Sequence, residues 1–293
     1  MSRSVVEVVG VVGVHSGPEP SARSGTARWA RRGVLGEALL FAGGAALGAA
    51  ITDGDALSSS QRKLPDGPVS ATLGSGRQDV GRGGIGVAWA GDPTARQVAL
   101  TFDDGPGPLW TPKVLDTLDR YAVPATFFLV GERTRRHADL LRGRLDRHEV
   151  GNHSWAHTDL ARLDARAAHD DLRRTHDVVT EVTGVAPRLL RPPYGHLGGA
   201  VLHAAVRLDY RLVFWTLQMR EREFPADPAG HARRIVADVR PGTILLAHDV
   251  GKPRRRVALD GLPAMISGLR ERGFEFVTVS QILQNTGSVG RAE

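Results

Sequence analysis

From Arg96 to Gln284, short apolar runs alternate with longer amphipathic ones. The runs "QVALTFD" (97–103), "PATFFLVG" (124–131), "EVGNHS" (149–154), "RLLRPP" (188–193), "RLVFWTL" (211–217), "TILLAHD" (243–249) and "FEFVTV" (274–279) are short, apolar or β-branched, and bounded by Gly, Pro or Asp. They read as buried strands. Between them, apolar residues recur at helical spacing in 110–121, 132–148, 164–184, 198–210, 227–239 and 257–273, with Asp164 as a plausible N-cap, and "SQILQ" reads as a last turn. Strands that alternate with helices imply parallel βαβ units. About seven such units in a stretch of this length predict a single α/β domain closed into a (β/α) barrel or near-barrel, with its chemistry at the C-terminal ends of the strands.

The pattern differs upstream. Residues 1–27 show no periodicity. Arg31-Arg32 then precede a mostly apolar stretch, Val34–Ile51, interrupted by Glu37. Residues 1–51 are read as an extension carrying an export signal similar to the twin-arginine type. An uncleaved membrane anchor and a buried helix are the alternatives; the apolar run after Glu37 is shorter than a bilayer span requires. Residues 52–90 are rich in Gly, Ser, Asp and Pro and read as a flexible linker, 91–286 as the one folded domain, and 287–293 as a tail.

Composition narrows the chemistry. There is no cysteine, so disulfides and thiolate metal sites are excluded, and a metal would rest on His, Asp or Glu. The net charge of +6 is mild and is mostly arginine. It reads as a solvated surface or an attraction to an anionic polymer. No basic stripe interleaved with aromatics argues for nucleic acid. A monomer is expected, with transient membrane or export-machinery contact through the N-terminal segment.

The polar residues at the predicted strand ends are few: Asp103 and Asp104; Asn152, His153 and His157; Arg191 and Tyr194; Gln218 and Glu221; His248 and Asp249. Each has a bland reading, as turn, helix cap, surface arginine or core histidine. Parallel strands bring them to one rim, and there the set makes chemical sense. Two histidines four apart, read as sharing one face of a helical turn, and a carboxylate form an open three-ligand metal site with room for water. A second carboxylate can take a proton from that water, a histidine across the rim can protonate a leaving group, and an arginine can brace the base.

"TFDDGP", "HSWAH", "RPPYG" and "LLAH" resemble, in order and spacing, the motifs of the polysaccharide deacetylases, carbohydrate esterase family four with its NodB homology domain. The resemblance runs from about Arg96 to Gln284. It implies a distorted (β/α) barrel and metal-dependent hydrolysis of N- or O-acetyl groups on a cell-wall or extracellular polysaccharide. It implies Asp103 as base, Asp104, His153 and His157 as metal ligands, and Arg191 as the brace. It also implies that the Tyr194 backbone N–H faces the oxyanion, that Leu246 walls the acetyl pocket, and that His248 is the general acid. Two His and one Asp suit zinc, with cobalt, nickel and iron as alternatives. A small-amide hydrolase on the same fold and a non-catalytic carbohydrate-binding relic are the competing functions.

The sequence departs from the family pattern at "FWTLQMREREF". Trp215 matches an expected tryptophan and is counted with the substrate-facing residues. Gln218 replaces an acid, Arg222 replaces an aromatic, and Glu221 stands where an acid is expected to orient and charge His248.

Overall fold

The computed structural model describes residues 62–63, 69–70 and 85–284. The export and anchor readings of 1–51 fall outside the described residues. Arg62–Lys63 pairs antiparallel with Val69–Ser70. Among the described residues no helix is long and apolar enough to cross a membrane.

The sheet is built from β1 (Val87–Ala88), β2 (Gln97–Asp103), β3 (Thr126–Leu129), β4 (Glu149–Asn152), β5 (Leu189–Leu190), β6 (Arg211–Val213), β7 (Leu217–Gln218), β8 (Thr243–His248) and β9 (Glu275–Val277). Its order is β1-β6-β5-β4-β3-β2-β8-β7, with β9 beside β2, and every strand pairing in it is parallel. The run Arg211–Gln218 supplies both β6, on one flank of the sheet, and β7, on the other. One stretch of chain therefore bends across the gap and rolls the sheet into a distorted barrel. Val87–Ala88, within the stretch read as linker, forms a strand alongside β6, and an antiparallel bridge from Ala90 to Thr243 joins it to β8.

The helices are α1 (Thr111–Arg120), α2 (Gly131–Arg136), α3 (Ala165–Thr183), α4 (Gly199–Arg207), α5 (Pro228–Asp238), α6 (Arg256–Asp260), α7 (Leu262–Glu271) and α8 (Val279–Gln284). Asp164 caps α3 through Ala167 N–H, and Gly184 ends it at φ 74°, the left-handed stop that glycine favours. Two predicted helices are broken. The 132–148 stretch leaves the α-helix after Arg136 for a 3-10 turn, Ala138–Leu140, and open turns; its early residues present no continuous apolar stripe. The 257–273 helix breaks at Gly261, where the start of α5 comes so close that a Cβ would lie 2.6 Å from the Pro228 carbonyl oxygen.

β2 and β3 are buried along their lengths except for Gln97, as all-parallel strands covered on both faces must be. Phe102, Phe127, Leu100, Leu115 and Leu118 pack into the largest core cluster. This rigid floor holds the strand ends.

Candidate active site

The register of the strands brings the motifs together. His248 on β8 pairs with Asp103 on β2, and Leu129 on β3 pairs with Asn152, the residue before His153. Alternation along β8 puts Leu246 and His248 on one face.

Asp103 and Asp104 diverge because the chain leaves the strand between them. Asp103 is the last residue of β2. Asp104 has φ 74°, a left-handed conformation that re-aims its carboxylate. Behind it, Gly105 is required by close approach: a Cβ there would fall 2.4 Å from Asp249 Oδ1.

Arg191, fully buried at 0% exposure, lies across the barrel. Its Nη1 donates to Asp103 Oδ1 and to Thr101 Oγ1, both at 2.7 Å. Its Nε donates to the Val213 carbonyl at 3.2 Å and its Nη2 to the Phe214 carbonyl at 2.9 Å. The guanidinium thereby uses the fork geometry that distinguishes arginine from lysine. Asp103 Oδ2 is left facing His153 Nε2 at 3.8 Å.

Asp104 Oδ1 lies 3.1 Å from His157 Nε2 and 3.5 Å from His153 Nε2. His153 Nδ1 is 2.6 Å from the Arg191 carbonyl oxygen, so Nδ1 carries a proton, and in the neutral ring Nε2 has its lone pair toward Asp104. His157 Nδ1 is 3.2 Å from the Tyr194 hydroxyl. The two histidines meet through a bent loop with left-handed backbone at Ser154 and His157, not along a helical face as their spacing suggested.

Electron-rich atoms thus converge on one point: buried Asp104 Oδ1 has no hydrogen-bond donor, and one ligand atom each from Asp104, His153 and His157 fall within 4.8 Å of one another. Such a donor set fits a divalent cation with N and O ligands. Burial works against the Asp104 charge, yet His153 and His157, in their protonated forms, hold its carboxyl far below the usual range. Burial likewise opposes charge on His153, but Asp103 and Asp104 outweigh it and raise its pKa. The pocket calls for positive charge.

Across the rim, His248 Nδ1 lies 3.9 Å from Glu221 Oε1, beside it but beyond hydrogen-bond length. Burial opposes the Glu221 charge, while His248 and Arg255 hold its carboxyl below the ordinary value. Trp215 packs under Gly195, where a Cβ would meet its ring at 3.0 Å, and lies 5.7 Å from the Arg191 guanidinium carbon. Tyr194 is 60% exposed, with φ 63°. Gln218 and Arg222 are exposed.

Two supporting arginines escaped the sequence reading of the site, and a third support, Asp249, stood among the strand-end residues without a role. Arg133 Nη1 donates to the Asp104 carbonyl at 2.6 Å. Arg255 Nη1 donates to Asp104 Oδ2 at 2.7 Å. Asp249, buried beneath the Asp104–Gly105 turn, accepts from Thr111 Oγ1 at 2.6 Å, and burial pushes its carboxyl up to about 7. Asp249 had a signal in its place after His248. The two arginines had none, since each sits in an arginine-rich run.

The chain is similar to known proteins. The family model described as polysaccharide deacetylase matches residues 90–213. The chain is 34% identical over 197 residues to the peptidoglycan-N-acetylmuramic acid deacetylase PdaC of Bacillus subtilis, covering 65% of this chain and 39% of that protein. It therefore spans about two fifths of that relative's length. It is 30% identical to a peptidoglycan-N-acetylglucosamine deacetylase of Bacillus cereus, over 68% of this chain and 72% of the relative. A crystal structure of a peptidoglycan N-acetylglucosamine deacetylase superposes with a TM-score of 0.63 at 30% identity, covering 68% of this chain and 92% of that one. Motifs, barrel and relatives point the same way: the chain belongs to the polysaccharide deacetylase family.

Proposed function

We propose that the protein is a metal-dependent hydrolase that removes N-acetyl, or O-acetyl, groups from a cell-wall or extracellular polysaccharide. The observation that carries this is the buried, donorless Asp104 Oδ1 facing His153 and His157, beside an Asp103 whose other oxygen is already committed to Arg191. Asp104, His153 and His157 would hold the cation, with zinc the first choice for this ligand set. A bound divalent ion supplies a Lewis acid and a water of lowered pKa.

The chain's own groups do the rest. Asp103 Oδ2 takes the proton from the attacking water while Arg191 fixes the carboxylate plane. The Tyr194 backbone N–H, carried on a left-handed turn, donates to the oxygen that becomes negative. Leu246 walls the acetyl methyl group, with Trp215 on the substrate side. His248 gives a proton to the departing amine, which leaves poorly as an anion; its Nδ1 is turned toward Glu221, so the proton comes from Nε2. The loss of an aromatic at Arg222 removes a sugar-stacking surface and bears on substrate choice.

The test is acetate release from N-acetylglucosamine oligomers, peptidoglycan and acetylated xylan, with metal analysis of the purified protein. Release that stops with chelator and in Asp103→Asn is expected. Sugar binding without turnover under any added metal would point to a carbohydrate-binding relic, and turnover of small amides alone to the small-molecule reading. The peptidoglycan relatives make peptidoglycan the first substrate to try. Export rests on the Arg31-Arg32 pattern and the apolar run after it, with membrane anchoring as the alternative; the protein would act as a monomer.

A further inference from the structure

Asp104 is held more tightly than a single ligand atom needs. Its φ of 74° is uncommon outside glycine. Arg133 fixes its carbonyl, and Arg255 fixes its carboxylate. Arg255 reaches in from the 3-10 turn Pro253–Arg255 that follows β8. The same Nη1 that bonds Asp104 Oδ2 at 2.7 Å also donates to the Val250 carbonyl at 2.9 Å. Gly251 lies against this guanidinium with φ 129°, and a Cβ there would fall 2.6 Å from Arg255 Nη1. The loop thus turns through a glycine at the place where the arginine must pass.

The two oxygens of Asp104 consequently differ. Oδ2 accepts a charge-assisted bond from Arg255, while Oδ1 has no donor and faces two imidazole nitrogens. We propose that Arg255 is a positioning residue for the metal site: by occupying Oδ2 it commits Asp104 to bind a cation through Oδ1 alone. The inference rests on the metal-site reading above. Ligating carboxylates are themselves oriented by hydrogen bonds, and loss of such a partner typically costs roughly 10- to 100-fold in metal affinity. Charge alone argues the opposite sign, because a guanidinium repels a nearby cation and its removal would tighten binding. The two effects are therefore separable.

The experiment uses Co(II) as probe. It measures affinity by competition with a chelator and coordination by visible absorption of the Co(II) protein. Arg255→Gln is expected to bind Co(II) about 10- to 100-fold more weakly, with an altered spectrum as Oδ2 becomes a second ligand oxygen. Arg255→Lys should restore part of both. Gly251→Ala, which displaces the guanidinium with Arg255 intact, should reproduce the spectral change, and exposed Arg254→Gln should leave affinity and spectrum at the parent values. Folding of each variant is checked by thermal unfolding, and if Arg255→Gln does not fold, the Lys and Gly251 variants decide. A parent-like spectrum in the Arg255 and Gly251 variants, with equal or tighter binding, overturns the proposal and leaves the functional reading standing. A parent protein that binds neither Co(II) nor Zn(II) overturns both.

Discussion

At the residue scale, Arg191 decides whether the candidate base has a defined position. It is fully buried, bonds to Asp103, Thr101, Val213 and Phe214, and lies 4.1 Å from the Phe128 ring centroid. Removing one member of a buried ion pair strands the other, at about 3–5 kcal/mol. Arg191→Gln is therefore expected to lower the melting temperature by on the order of 10 °C and to abolish acetate release. Arg191→Lys, which keeps the charge without the fork, should fall between; calorimetry and the acetate assay check both. Much of this site is legible in the sequence, because "TFDD", "HSWAH", "RPPYG" and "LLAH" put distinctive side chains at strand ends. The supports are not. Nothing in "KPRRR" tells Arg255, which touches Asp104, from Arg254, which is exposed. Nor does "RPP" reveal that its guanidinium seeks two carbonyls more than twenty residues downstream.

At the element scale, the strands were readable because burial on both faces makes them continuous apolar runs, and α3 was readable because cap, stripe and stop agree. Its cap offers a clean measurement. Asp164 Oδ1 accepts from Ala167 N–H at 2.8 Å on an exposed surface, so Asp164→Ala should cost about 1 kcal/mol. That corresponds to a melting temperature lower by roughly 2–4 °C, with acetate release unchanged. The broken helices were not readable from local pattern. Gly261 yields to the nearness of Pro228, and 132–148 yields to Gly143 at φ 68° and to turns, which are tertiary facts. The division of Arg211–Gln218 into two strands is of the same kind: a mostly apolar run conceals a change of partner.

At the scale of the whole molecule, stability should depend on pH in a way that can be assigned. His148 accepts from Ala125 N–H through Nδ1 at 3.1 Å and packs edge-on to Phe127. Burial lowers its pKa from 6.5 to about 4. The native state resists protonation there and the unfolded chain does not. The stability this confers is present above about pH 6.5 and is lost as pH falls toward 4, with a limiting slope of about 1.4 kcal/mol per pH unit. The urea midpoint should drop between pH 7 and pH 5, and His148→Asn should flatten that drop. The Arg211–Gln218 run carries a larger consequence. It closes the barrel, and at its bend it supplies the Val213 and Phe214 carbonyls that seat Arg191. A nascent or nicked chain that has not shut the ring has no seat for Arg191, and so no brace for Asp103 either. Under the proposed function, acetate release should then report completed assembly, with half-folded molecules expected to be silent instead of slow.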